Sequence, residues 1–270
     1  DPGLFLLVDC VCHGRVLGGE KSIKRTGSVR VGGNIAAALQ RILDRMAHLT
    51  LIRHGETDSN RVHRFQGQMD VPLNATGLLQ AERLAERLAE ERFDVGVVSD
   101  LSRTRATAAP LAERLGLTLR QDARWREQHF GVFEGQQVTD ILDLHPDLWA
   151  QWVRQDADFA LPGGGESIRA FHTRVWSALD ALAAAHVGQR VLVVTHGGVL
   201  DMVWRTVRGQ PLSSARQCAI PNAGINRLQW HGPGRAEIDV WADDAHLAGL
   251  PPQPSTVSLS VRYGAGVSAP

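Results

Sequence analysis

Two short apolar runs of the chain end in the same way. Residues 49–52 and 191–194 are each followed, after one further residue, by a histidine and a glycine, and the histidines are His54 and His196. Short, nearly continuous apolar runs predict buried strands of a parallel sheet. Because parallel strands end at one edge of an open sheet, where such sheets bind ligands, we expect the two histidines to lie together.

Further segments show helical or strand periodicity in alternation, which predicts βαβ units. In each predicted helix, apolar residues recur at helical spacing along one face. The apolar face of the first helix includes Leu78. Two later segments alternate between apolar and polar residues, which predicts strands near a sheet edge. The predicted helices cover residues 78–88, 103–115, 171–185 and 200–207, and the further strands cover 95–98, 225–230 and 236–241.

The distribution of glycine, proline and apolar residues along the chain predicts three regions. Residues 1–46 are rich in glycine with broken apolar runs, and we interpret them as an N-terminal extension of uncertain status, with Met46 as a candidate natural start. Residues 47–247 form the predicted compact domain. Residues 248–270 begin with several prolines and predict a loose C-terminal tail.

Composition narrows the class of protein. Lys and Arg number 29, and Asp and Glu also number 29, so the chain has no basic excess for binding nucleic acid. No apolar run approaches the roughly 20 residues that span a bilayer. The three cysteines, Cys10, Cys12 and Cys218, do not form a disulfide framework, which indicates a reducing compartment. We therefore expect a soluble, cytoplasmic protein without nucleic-acid or membrane partners.

The residues around His54 indicate phosphoryl transfer to an imidazole. Attack on phosphorus requires a neutral ring whose other nitrogen is held by an acceptor such as a backbone carbonyl group. Guanidinium groups bind phosphate oxygens while keeping their charge, so Arg53 and Arg103 can neutralise the phosphoryl group without a metal ion. We expect no metal and no cofactor. Cys10 and Cys12 have no partner pair at metal-site spacing, and residues 14–22 fail to match a phosphate-binding loop.

Several separate motifs then occur in one order between residues 48 and 247. They are Arg53-His54-Gly55-Glu56-Thr57, Asn60, Arg64-Phe65-Gln66-Gly67, Pro72-Leu73-Asn74-Ala75-Thr76-Gly77, Ser99-Asp100-Leu101-Ser102-Arg103, Glu127, Gly165-Glu166-Ser167 and Thr195-His196-Gly197-Gly198. In this order they resemble the histidine phosphatase superfamily, in its phosphoglycerate-mutase-like branch.

The resemblance implies a fold and a set of catalytic residues. The fold would be an α/β three-layer sandwich, with a mostly parallel central sheet flanked by helices. A covalent phosphohistidine would form on His54, and Glu127 would protonate the leaving oxygen and then activate water. The other catalytic residues would be Arg53, Arg103 and His196. We predict substrate contacts at Asn60, Gln66, Gly67, Gly165, Glu166, Ser167 and Gly197, although the loop that contains Gly165 to Ser167 has the alternative of being only flexible.

The predicted activity is that of a metal-independent phosphomonoesterase acting on a small phosphorylated metabolite. A cofactor-dependent phosphoglycerate mutase is the first alternative, but the mutase pattern has a serine where Thr57 stands and Thr-Gly-Trp where residues 66–68 stand. A catalytically silent phospholigand-binding protein is the second alternative, and the presence of all five catalytic residues speaks against it. A homodimer through a strand over residues 225–230 stays open.

Overall fold

The computed structural model describes residues 46–254 and 259–264 of the 270-residue chain. The predicted N-terminal extension, with Cys10, Cys12 and the 14–22 segment, lies outside the described residues apart from Met46. Six strands are present in the described ranges: β1 (Ala47–Arg53), β2 (Val95–Val98), β3 (Leu119–Gln121), β4 (Arg190–Thr195), β5 (Ile225–Gly232) and β6 (Arg235–Asp243).

The strands form one sheet in the order β3-β2-β4-β1-β5-β6. The first four in this order run parallel, whereas β5 and β6 are antiparallel to their neighbours. Strand β1 pairs with β4 so that Arg53 lies opposite Thr195. His54 and His196 therefore leave adjacent strands at the same level of the same sheet edge, as predicted.

Helices cover both faces of the sheet. Side chains alternate along β4, so Val191 and Val193 pack with helices α6 (Ile168–Ala185) and α7 (Gly197–Val207) on one face. Leu192 and Val194 pack with α2 (Ala75–Arg87) and α3 (Ser102–Leu115) on the other. This arrangement confirms the three-layer fold. The helices are α1 (Asp58–Arg61), α2 (Ala75–Arg87), α3 (Ser102–Leu115), α4 (Val138–Leu144), α5 (Pro146–Val153), α6 (Ile168–Ala185), α7 (Gly197–Val207) and α8 (Leu259–Gly264).

A third apolar cluster lies outside the three layers. It is built by aromatic residues around Phe65, Phe133 and Trp149, together with α4 and α5. Leu259 and Tyr263 of α8 pack against this cluster, although α8 lies within the segment predicted as a loose tail. Residues 259–264 thus pack against the body of the protein.

Two predictions from periodicity are wrong in detail. Leu78 does not belong to the buried stripe of α2, because 53% of the residue is exposed and the buried face consists of residues such as Ala81 and Leu84. Both later segments lie near a sheet edge as predicted, with β6 at the edge, but the strand over 225–230 is not itself an edge strand, since β5 pairs with β1 on one side and β6 on the other. Its backbone groups are therefore not available for pairing between subunits.

Candidate active site

The turn after β1 is held in place by close backbone packing. The His54 N–H donates to the Thr195 carbonyl oxygen at 2.8 Å, which joins this turn to the end of β4. A Cβ atom on Gly55 would lie 2.6 Å from the carbonyl oxygen of Gly77, and one on Gly77 would lie 2.1 Å from that of Glu56. Glycine at both positions is required because the turn and the start of α2 touch through their backbones.

The hydrogen bonding of His54 determines which ring nitrogen carries the proton. Its Nδ1 lies 2.6 Å from the Gly55 carbonyl oxygen, which can only accept a hydrogen bond, so Nδ1 carries the proton. Only 2% of the residue is exposed. Burial, together with the charges of Arg103 and Arg53, places the pKa of His54 well below its usual value of 6.5. The ring is therefore neutral at pH 7, and Nε2 has a lone pair.

His196 packs against His54 as predicted. The two ring centroids are 5.2 Å apart, in an edge-to-face arrangement. The His196 Nε2 lies 2.9 Å from the Ser99 Oγ, whereas its buried Nδ1 has no hydrogen-bond partner among the described residues. Burial and the charge of Arg103 hold the pKa of His196 well below 6.5. A neutral ring with one nitrogen unengaged suits contact with a phosphate oxygen.

Two guanidinium groups stand beside this histidine pair. Arg53 donates through Nη1 to the Ile220 carbonyl oxygen, and Arg103 donates to those of Gly67 and Met69, both at 2.7 Å. The Nε of each arginine is buried, without a partner in the described part of the chain. Burial lowers the pKa of both arginines to about 10, so both stay charged at pH 7.

The structure also separates Arg103 from Arg105, two residues further along α3. Arg103 is fully buried and reaches the histidine pair, whereas Arg105 is exposed. A two-residue step on an α-helix turns the side chain to the opposite face. The geometry therefore agrees with the motif alignment that selected Arg103.

Glu127 is fixed by the amino end of α7. One carboxylate oxygen accepts a hydrogen bond from the Gly198 N–H at 2.9 Å, and the other accepts from the Gln128 N–H at 2.9 Å. A Cβ atom at position 198 would lie 2.1 Å from Glu127 Oε1. The second glycine after His196 thus makes room for the carboxyl group, which the helix N-terminus attracts.

A cavity of about 210 Å³ opens onto these groups. Of the predicted site residues, eight line its wall: Arg53, His54, Asn60, Gln66, Gly67, Arg103, Glu127 and Gly197. His196 lies against the His54 ring, fully buried. Throughout the described ranges, no group of three or more histidine, cysteine or acidic side chains is arranged to hold a metal ion.

Gly165, Glu166 and Ser167 do not line this cavity. The Glu166 carboxylate forms an ion pair with Arg174, at 2.7 Å to its Nη2, and accepts from the His129 N–H at 3.0 Å. Ser167 caps α6 by accepting from the Ala170 N–H. These contacts favour a structural role for the loop over the predicted substrate contact.

Sequence patterns missed several residues around the site. Asn222 donates to the His54 carbonyl oxygen at 3.0 Å, and Asp201, Arg205 and Arg216 line the cavity. Ser99 belongs to a quoted motif and could have been singled out. By contrast, Asn222 and Arg216 stand in a stretch without periodicity or motif, so only the fold brings them to the site.

The fold and site together define a class: α/β proteins in which one sheet edge carries a neutral histidine pair inside an arginine-lined anion pocket. The sequence model of the histidine phosphatase superfamily (branch 1) matches residues 49–244, and the chain belongs to this family. It is accordingly an enzyme of the histidine phosphatase type.

Relatives with known names support this assignment. The chain is 35% identical over 204 residues to phosphoglycerate mutase-like protein 4 of Arabidopsis thaliana, covering 74% of this chain and 87% of the relative. It is 35% identical over 207 residues to the metal-independent phosphoserine phosphatase of the same plant, covering 76% and 85%. The solved mycobacterial glucosyl-3-phosphoglycerate phosphatase superposes with a TM-score of 0.64 at 32% identity, covering 73% of this chain and 99% of that one.

None of the helices in the described ranges is both long enough and apolar enough to cross a membrane.

Proposed function

We propose that this enzyme is a metal-independent phosphomonoesterase that works through a phosphohistidine on His54. The observation that carries the proposal is the hydrogen bond from His54 Nδ1 to the Gly55 carbonyl oxygen, which leaves Nε2 as a neutral nucleophile. The charges of Arg53 and Arg103 beside it suit the oxygens of a phosphoryl group. These guanidinium groups take the place that a cation has in other phosphatases.

In the first step, Nε2 of His54 forms a bond to phosphorus as the ester P–O bond breaks. The leaving oxygen takes a proton from the Glu127 carboxyl group, and the alcohol departs. The buried Nε of Arg53 and of Arg103, together with His196 Nδ1, supply hydrogen-bond donors for the phosphoryl oxygens as charge develops on them.

In the second step, water attacks the phosphohistidine. The Glu127 carboxylate accepts a proton from this water, the N–P bond breaks, and inorganic phosphate leaves with His54 again neutral. The same carboxyl group thus acts as acid and then as base. Its two backbone hydrogen bonds keep it at one place in both steps.

The size of the cavity supports a small phosphorylated metabolite as substrate, since about 210 Å³ leaves room for a few heavy atoms beside the phosphoryl group. Names of relatives include phosphoserine and glucosyl-3-phosphoglycerate phosphatases. A phosphoglycerate mutase activity is the second candidate, because one relative is called phosphoglycerate mutase-like and several bacterial relatives are called probable phosphoglycerate mutases. No residue of the site favours a catalytically silent binding protein.

The first test follows label from a ³²P-labelled ester. We expect an acid-labile, base-stable protein label in the presence of a chelator, together with release of inorganic phosphate at an undiminished rate. Loss of activity with the chelator would overturn the metal-free mechanism. Transfer of label to phosphoglycerate after priming with bisphosphoglycerate, faster than to water, would select the mutase.

The acid role of Glu127 leads to a second prediction. Glu127→Gln retains the shape of the side chain but cannot donate a proton, so kcat/KM for alkyl phosphates, which reports the first step, should fall about 10²- to 10³-fold. kcat/KM for 4-nitrophenyl phosphate should fall far less, since its leaving group needs no proton and the water-attack step shared by both esters does not enter kcat/KM. Glu113→Gln, at an exposed position on α3, is the matched control. Equal losses for both esters would contradict the role.

A further inference from the structure

The hydroxyl group of Ser99 is a buried polar group that the proposed mechanism does not use. Ser99 follows β2 at the sheet edge that carries the site, and it has no exposed surface. Its Oγ lies 2.9 Å from Nε2 of His196. A hydroxyl group and a neutral imidazole can each donate or accept, so the direction of this hydrogen bond depends on the other partners of the two groups.

The hydrogen of the Ser99 hydroxyl group has one acceptor within the described ranges, which is His196 Nε2. If Nε2 carried a proton, the Ser99 Oγ would accept from it, and the hydroxyl hydrogen would be left without an acceptor at a position closed to solvent. An unpaired buried donor of this kind is unfavourable. The surroundings of Ser99 therefore favour a hydrogen bond in which its hydroxyl group donates to an unprotonated Nε2.

A second pair of a hydroxyl group and a histidine has the opposite arrangement. The Thr206 Oγ1 lies 2.8 Å from His172 Nε2, but it also donates to the Met202 carbonyl oxygen at 2.8 Å. Because its single hydrogen is engaged there, Thr206 can only accept from the imidazole, and His172 carries a proton on Nε2. Neither Thr206 nor His172 lines the cavity. This pair is therefore a reference for the other tautomer.

The direction of the Ser99 bond decides what His196 offers to a phosphoryl group. A neutral ring carries one proton, so a lone pair on Nε2 places that proton on Nδ1. Nδ1 is buried without a partner in the described part of the chain, and its ring centroid lies 5.2 Å from that of His54. A protonated Nδ1 can donate to a phosphoryl oxygen, whereas a lone pair at this atom would repel the oxygen.

We propose that Ser99 is a positioning residue, which donates its hydroxyl hydrogen to His196 Nε2 and thereby keeps His196 Nδ1 as a donor to the transferred phosphoryl group. The inference rests on the proposed phosphatase function and adds a residue that does not line the cavity. Ser99 acts on His196 as the Gly55 carbonyl oxygen acts on His54. Both histidines are then protonated on Nδ1, which makes one ring a nucleophile through Nε2 and the other a donor.

Nitrogen NMR of enzyme labelled with ¹⁵N-histidine reads the tautomer directly, because protonated and unprotonated ring nitrogens resonate in different regions. The ring of His196 is assigned through its bonds to the His196 backbone. At pH 7 we expect its proton on Nδ1, with and without inorganic phosphate, whereas His172 in the same spectrum should carry its proton on Nε2. A proton on Nε2 of His196 in the wild-type enzyme would overturn the proposal.

Variants test the consequence for activity. In Ser99→Ala the proton is free to lie on either nitrogen, so kcat/KM for one ester should fall about tenfold and the Kd of inorganic phosphate should rise by a similar factor. Ser99→Thr retains the hydroxyl group and should recover much of this loss. Thr206→Val removes a hydroxyl group from the other histidine and is the matched control, expected within a factor of about two of wild type.

Two results with the variants would contradict the role of Ser99: an unchanged kcat/KM in Ser99→Ala, or an equal loss in Thr206→Val. If thermal unfolding shows that Ser99→Ala does not fold, the wild-type spectrum decides the question. Failure of the proposed function looks different, because no ester would be hydrolysed and no acid-labile label would form. The wild-type spectrum with inorganic phosphate would then still report which nitrogen of His196 carries the proton.

Discussion

We expect His54→Ala to abolish the acid-labile phosphoenzyme and to lower kcat by about 10⁴-fold or more. The expectation follows from the loss of the only atom proposed to bond phosphorus, and removal of a covalent nucleophile has effects of this order. The measurement is kcat with 4-nitrophenyl phosphate, combined with trapping of ³²P label on the protein after acid and base treatment. Because the ring is buried between charged groups, binding of inorganic phosphate should change much less than turnover.

A matched control lies on the same strand. His48 lies near the end of β1 that is opposite the site, where it pairs with Arg190. His48→Ala should therefore retain both the phosphoenzyme label and turnover. Thermal unfolding of both variants separates loss of folding from loss of chemistry. If His54→Ala were still labelled at another histidine, with turnover within tenfold of wild type, the nucleophile would be misassigned.

Arg103→Gln should lower kcat/KM by about 10² to 10³. The lost group is a buried, permanently charged donor beside His54, and removal of one preorganised donor at a developing charge costs this much. The measurement is kcat and KM for one ester in Arg103→Gln and Arg105→Gln. The Arg105 variant, two residues further on α3, should lie within a factor of about two of wild type because its side chain is exposed.

Arg103 also donates to the carbonyl oxygens of Gly67 and Met69, so its replacement will lower stability as well. Arg103→Lys preserves the charge but not the planar fork, and it should recover only part of the activity. Inhibition by orthovanadate gives a second readout, since loss of the phosphate pocket weakens it in proportion to kcat/KM. Activity that survives in Arg103→Gln but falls in Arg105→Gln would contradict the assignment of the site.

Periodicity predicted the helices and strands correctly wherever the apolar residues of an element lie on the face that packs against the core. The helix predicted over 171–185 is α6, with Phe171, Val175 and Leu182 buried as expected. The prediction that Leu78 is buried failed because its side chain, in the first turn of α2, projects to solvent. The spacing of apolar residues alone does not show where a helix meets the core. The prediction that β5 is an edge strand failed for a related reason, since alternation of apolar and polar residues does not reveal how many neighbouring strands a strand pairs with.

The site residues predicted from the sequence likewise include some that the structure brings together and some that it does not. His54 and His196 followed from strand ends, and Arg103 and Glu127 from their motifs, and the structure brings all four to one place. Gly165 to Ser167 carried a motif too, yet Glu166 is engaged by Arg174 and Ser167 caps α6. A motif preserves residue types without telling whether a side chain contacts a ligand or its own protein.

By itself, the sequence determined three of the four parallel strands, but not β3, together with the helices of the outer layers and the two histidines at one sheet edge, because burial periodicity is a property of the local sequence and helices between strands favour parallel pairing. The tertiary structure alone decided which nitrogen of His54 carries a proton, how Gly198 holds Glu127, and that Arg216 lines the same cavity as Arg53. These features depend on atoms far apart in sequence, whose distances and electrostatic environment exist only once the layers have packed.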